Sequence, residues 1–307
     1  MAQPTTSSLR VANAPCSWGV LEFESNVLGP APAAVLDEIG ATGYDGTELG
    51  DWGFLPTDPE ALHRDLCARR LSLVGAFVPV ALSDPSAHGD GEATAVQTAR
   101  LLRDASGESS TLIVLSDATA AVPARTAKAG RITPNDGLRP LEWHVVGAGA
   151  ERIARAVRQA TGLRTAFHHH CATYVETPDE IAVLMRITSP ELLGLCVDTG
   201  HATYSGGDPI ALLREYGSRI WHMHFKDCSQ TVAADARRWA WDYVAAVRQG
   251  LFCELGQGAV DFEAVLRELR TIAYDGWIVV EQDILPSMGT PFASAHRNRQ
   301  YLASLGV

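Results

Sequence analysis

Five of the ten histidines crowd into two short stretches, His168-His169-His170 and His222-Met223-His224. Carboxylates close other short β-rich runs: Glu48 after YDGT, Asp198 after LGLCV, and Glu281 after WIVV, with Gln282 and Asp283 beyond it. Converging imidazoles and carboxylates are the donors a Zn, Mn, Fe or Co ion takes, whereas an all-oxygen set suits Mg or Ca. His201, three residues after Asp198, and Lys226, two after His224, add groups able to move protons or stabilise negative charge.

Each residue also has a plainer use. An Asp at a strand end often caps the following helix, and Asp198 fits that role as readily as a metal ligand. In a strand, His222 and His224 alternate with Trp221, Met223 and Phe225 and share one face. Of the pair, His224 is the expected ligand, with His222 a core or substrate contact. His168 and His170 share a face too, and one of them is expected to reach the ion. Glu281 ends an apolar run, where an unpaired carboxylate is costly, so ligation is expected there. Glu48 reads as an acid that contacts substrate or stands behind the site. Trp18 and Trp52 read as packing at the core or rim, or as a platform for a sugar ring. Cys16, Cys67, Cys171, Cys196, Cys228 and Cys253 form no C-x-x-C pair and read as free thiols.

To bring these side chains together, several strands must end at one mouth. Strands are expected at residues 11–15, 44–49, 71–79, 111–115, 164–170, 193–197, 219–225 and 277–281. Helices are expected at 32–41, 58–70, 92–106, 142–160, 177–186, 208–216, 229–250, 261–273 and 291–305. Asp58-Pro59 and Thr177-Pro178 have the form of a cap followed by proline at the first helical position. Residues 116–140 read as a long loop over the mouth. Its Arg125, Lys128 and Arg131 are either solvated or within reach of an anionic substrate group. Eight strand–helix units without a linker predict an α/β fold, a single (β/α)8 TIM barrel over residues 1–307. No G-x-G-x-x-G follows the first strand, which speaks against a dinucleotide-binding sheet.

The formal charge of −11 disfavours nucleic acid as a partner. No apolar stretch reaches the roughly 18 residues of a membrane span, and MAQPTTSSLR lacks the apolar centre of a secretion signal. A cytoplasmic protein acting on a small molecule is expected, with homo-oligomerisation left open.

Four segments resemble the xylose-isomerase-like TIM-barrel family: VDTGHATYSGGDP (197–209), IWHMHFKD (220–227), LGQGAVDF (255–262) and GWIVVEQD (276–283). NAPCSWGVLEFE (13–24), GYDGTELG (43–50) and the histidine triplet resemble its inosose dehydratase branch. The resemblance implies a divalent metal, Mn or Co ahead of Zn or Fe, held by His168, Asp198, His224 and Glu281. His168 departs from the family pattern, which has Glu at that place and uses it as a proton-transfer base in isomerases and epimerases. The implied activity is a hydro-lyase that dehydrates an inosose or related cyclic keto-polyol through an enediolate. His201, Lys226, His168 and His170 are the candidates to handle protons, and Glu48, Trp18 and His222 to contact substrate. A keto-sugar isomerase or epimerase on the same scaffold is the alternative. An endonuclease IV-type enzyme and a sugar-binding protein without catalysis are weaker ones.

Overall fold

The computed structural model describes residues 9–20, 30–106, 111–283 and 289–307; residues 21–24 of the NAPCSWGVLEFE segment lie outside them. The chain opens with β1 (Arg10–Asn13), α1 (Pro32–Ala41), β2 (Gly46–Glu48), α2 (Pro59–Arg69), β3 (Ser72–Val80) and α3 (His88–Ser106). It continues with β4 (Leu112–Asp117), α4 (Pro123–Lys128), α5 (Pro140–Thr161), β5 (Arg164–His168), α6 (Pro178–Ile187) and β6 (Leu193–Asp198). Then come α7 (Thr199–Tyr204), α8 (Pro209–Tyr216), β7 (Ile220–Phe225), β8 (Asp227–Cys228), α9 (Gln230–Trp239) and α10 (Tyr243–Arg248). The last elements are β9 (Phe252–Cys253), α11 (Phe262–Thr271), β10 (Trp277–Val280) and α12 (Pro291–Ser304). Among the described residues, eight parallel strands close a barrel in the order β1-β10-β7-β6-β5-β4-β3-β2, and β8 and β9 form a separate antiparallel pair. The expected (β/α)8 TIM barrel is therefore what forms.

Two apolar layers hold it. Outward side chains such as Ile113, Leu115 and Phe167 share one buried cluster with Val146, Ala150, Ile153 and Val157, which recur at helical spacing on α5. Each fully buried aliphatic side chain of this kind contributes about 1.5–3 kcal/mol. The lumen is filled by Ala12, Val74, Trp277 and Val279 on one side and by Leu112, Val114, Ala166 and Cys196 on the other. Trp221 packs with this second lumen group, although alternation placed it opposite His222. A register shift between Leu195 and Cys196 breaks the alternation. Gly194 makes room, since a Cβ there would lie 2.1 Å from the Trp221 ring.

Several boundaries differ from expectation for local reasons. β1 stops at Asn13 because Pro15–Trp18 coils into a 3-10 turn. β5 stops at His168, not residue 170, because the chain turns back: His170 N–H donates to Val175 O at 3.1 Å and Ala172 adopts φ +68°. Residues 116–140 contain α4 and a short 3-10 turn, so they are not a plain loop. The helix expected over 229–250 is broken where Ala240 takes φ +53°, and Asp242 then caps α10. The helical turn α7 was not expected; Asp198 caps it by accepting from His201 N–H at 2.8 Å. The Asp58 and Thr177 caps form as expected.

Candidate active site

The carboxyl ends of β2, β5, β6, β7 and β10 deliver Glu48, His168, Asp198, His224 and Glu281 to one end of the barrel. One donor atom each from His168, Asp198, His224 and Glu281 lies within 4.8 Å of the others, and all four residues are buried. His168 Nε2 is 3.6 Å from Asp198 Oδ2, and His224 Nδ1 is 4.0 Å from Asp198 Oδ2 and 3.3 Å from Glu281 Oε1. Asp198 divides its work: Oδ1 caps α7, while Oδ2 is buried without a hydrogen-bond partner. Both ring nitrogens of His168 are likewise unpartnered. Buried polar atoms normally find partners, so these orphaned donors fit a divalent cation, and imidazole with carboxylate is the ligand chemistry of Zn, Mn, Fe or Co.

Glu48 orients the set. Its Oε1 accepts from His222 Nε2 at 2.8 Å and from His224 Nε2 at 3.1 Å. A proton held on His224 Nε2 by that carboxylate leaves Nδ1 as the nitrogen facing Asp198 and Glu281. Burial works against charge on Glu48, but His224 and His222 outweigh it and hold the carboxyl at about 2. Burial also opposes charge on His224, yet Cys196, Glu281 and Glu48 raise its pKa well above the usual imidazole range. Without a cation the carboxylates thus hold a proton on His224, and a bound divalent ion would displace it.

Lys226 follows β7 and turns back into the same space. Its Nζ lies 3.1 Å from Glu281 Oε2, 3.1 Å from Asp283 Oδ1 and 3.8 Å from Asp198 Oδ2. Burial disfavours the ammonium, but Asp283, Glu281 and Asp198 outweigh it and push the pKa well above that of an ordinary lysine. Lys226 is therefore a fixed cation at neutral pH. Gly200 on α7 is required by its close approach, since a Cβ there would meet Lys226 Cγ at 2.7 Å.

A cavity opens above these groups, lined by Glu48, His168, His170, His224, Lys226 and Glu281 together with Cys16, Asp51, Phe77 and Asp283. His170 Nδ1 lies 2.6 Å from Cys171 O. A carbonyl only accepts, so Nδ1 carries the proton and Nε2 has a free lone pair. Burial lowers the pKa of His170 well below the usual value and keeps the ring neutral.

Besides Asp198, which lies beneath the cavity with the donor cluster, three candidates do not line it. His222 hydrogen-bonds Glu48 and does not reach the cavity wall. Trp18 is buried in the outer core and donates to Glu38 Oε2 at 2.6 Å, which leaves no platform for a sugar ring. His201 stands behind the wall, its Nε2 3.5 Å from Lys226 Nζ and its Nδ1 3.4 Å from Cys171 N. The loop cations are committed elsewhere. Arg125 is buried in a two-pronged pair with Glu180 at 2.8 and 2.8 Å, Lys128 pairs with Asp136, and Arg131 donates to backbone carbonyls. Asp283 was noted beyond Glu281 but given no role, and Asp51 was not singled out. Asp283 lies beyond the end of β10, where strand alternation carries no information about direction. The GQG segment proves structural: the buried Asp227 accepts from the backbone N–H of Gly256, Gly258 and Val260 and pins the turn.

Fold and site together define a (β/α)8 barrel with a buried, cation-ready donor cluster at its strand mouth. The model of the xylose isomerase-like TIM barrel family matches residues 36–304, and the chain belongs to that family. It is 32% identical over 305 residues to the inosose dehydratase of Geobacillus kaustophilus (strain HTA426), covering 99% of this chain and 96% of that protein. Among solved structures it resembles the IOLI protein with a bound zinc atom (TM-score 0.67, 15% identity, 97% of this chain and 98% of that one). An L-ribulose 3-epimerase is similar in fold (TM-score 0.69, 17% identity, 97% and 94%).

Proposed function

We propose that the protein is a metal-dependent inosose dehydratase, in which His168, Asp198, His224 and Glu281 hold the ion. The observation that carries the reading is the buried quartet of donors within 4.8 Å, in a chain 32% identical to an inosose dehydratase over nearly its whole length. Two carboxylates and two imidazoles suit Mn, Fe, Co or Zn over Mg, and the family resemblance puts Mn or Co first. When bound, the divalent ion supplies Lewis acidity that polarises a ketone and acidifies the neighbouring C–H.

The chain's own groups do the rest. His170 Nε2, neutral and at the cavity wall, takes the proton from the carbon beside the carbonyl. The C–H electrons form a carbon–carbon double bond, and the carbonyl oxygen becomes the anion of an enediolate. Lys226, charged and fixed between Glu281 and Asp283, faces that anion with its ammonium. The proton on His170 passes to the hydroxyl of the next carbon, whose C–O bond breaks as water leaves. A conjugated hydroxy-enone results. His168 stands where the family pattern has the carboxylate base of isomerases, which supports dehydration over epimerisation.

The test uses scyllo-inosose with chain stripped by EDTA and reloaded with Mn or Co. The expected outcome is a rise in conjugated-enone absorbance that depends on the added metal. Full turnover without metal, or a new ketose without the chromophore, contradicts the proposal.

A further inference from the structure

Cys196 points into the barrel lumen from β6, two residues before Asp198 and on the same face. It is fully buried and packs with Leu112, Val114 and Ala166, below the residues that line the cavity. Its Sγ and one ring nitrogen each from His168 and His224 lie within 4.8 Å of one another. Both ring nitrogens of His168, a residue only 2% exposed, lack any hydrogen-bond partner.

We infer that His168, Cys196 and His224 form a second, deeper site for one thiophilic divalent cation such as zinc or cadmium. The inference rests on the proposed function only for the two histidines, which the deeper ion shares with the catalytic one, so the two sites exclude each other. Donor chemistry drives the choice. A thiolate with two imidazoles is a softer set than two imidazoles with Asp198 and Glu281, and it selects against Mn. With zinc–sulfur bonds of about 2.3 Å and zinc–nitrogen bonds of about 2.0–2.1 Å at tetrahedral angles, donors stand about 3.4–3.6 Å apart, so loading draws the trio together by up to roughly 1 Å. Binding breaks the Cys196 S–H bond, forms a sulfur–metal bond and releases the proton to solvent, with no change of oxidation state. An ion held there is drawn away from Asp198 and Glu281 and from the substrate cavity. A thiophilic metal thereby becomes an inhibitor that competes with the activating one.

Cadmium titrated into the metal-stripped chain tests this through ultraviolet thiolate-to-metal charge-transfer absorbance. Saturation at one cadmium per chain is expected in wild type and in Cys67→Ala, which removes the exposed thiol whose Sγ lies 3.4 Å from His63 Nε2. The band is expected to vanish in Cys196→Ser. Its absence from wild type, or its survival in Cys196→Ser, overturns the inference. Should Cys196→Ser fail to fold, cadmium-113 NMR of Cys67→Ala decides. A sulfur-ligated resonance supports the deeper site, and purely nitrogen and oxygen ligation overturns it. Glu281→Gln separates the two readings: it is expected to keep the cadmium band while losing Mn-dependent turnover. Loss of the band in Glu281→Gln contradicts the deeper site, whereas failure of Mn-loaded wild type to dehydrate scyllo-inosose contradicts only the proposed function.

Discussion

Asp198 was readable from its sequence position as either a helix cap or a metal ligand, and its two oxygens allow both. Oδ1 holds the start of α7 and Oδ2 is left bare beside His168 and His224. Glu48 is the less expected participant, since its carboxylate fixes the ring of His224. Glu48→Gln removes the charge from that hydrogen bond, and Mn affinity is expected to fall about 10–100-fold, as for other groups that support a metal-bound histidine. Calorimetric titration measures it, and unchanged affinity would show that His224 needs no such support. Lys226 carries its charge at all pH values near neutrality, because Asp283, Glu281 and Asp198 offset its burial. Lys226→Met is expected to lower kcat about 10²–10³-fold with little change in KM, the usual effect of losing one oxyanion-stabilising donor. The neutral-range pH profile of the wild type should show no limb from Lys226. A variant with wild-type kcat would remove this residue from the chemistry.

The elements that hold these residues were legible to different degrees. Leu112–Leu115 within β4 and Trp277–Val280 are unbroken apolar runs, and their burial on both faces made them easy to place. The direction of particular side chains was harder. A register shift between β6 and β7 sends Trp221 into the lumen, and no feature of the sequence marks it. Residues 116–140 lacked a clean period because their order comes from tertiary contacts. Arg125 on α4 grips Glu180 on α6 and donates to Thr173 O at 2.6 Å, which ties this segment to the turn that follows His170. Arg125→Ala leaves the buried Glu180 carboxylate without its cation. A loss of about 3–5 kcal/mol in unfolding free energy is expected from urea denaturation. A loss below about 1 kcal/mol would mean that the pair behaves like a surface ion pair.

At the scale of the whole molecule, the barrel turns sequence distance into proximity. Glu48 and His224 are separated by 176 positions and share a hydrogen bond. Donor atoms of Asp198, His224 and Glu281 come together, while Trp18, His222 and His201, which lie in the same resembling segments, fall outside the cavity wall. The difference is physical. A residue at a strand's carboxyl end is delivered to the mouth by the fold itself. A residue lower on a strand or on a flanking turn is aimed by packing that only the assembled barrel determines. The most direct check of the account is anomalous diffraction at the Mn edge from crystals of Mn-loaded protein. One peak is expected, bonded to His168, Asp198, His224 and Glu281. A peak bonded to His170 in place of His168, or outside this quartet altogether, would contradict the assignment.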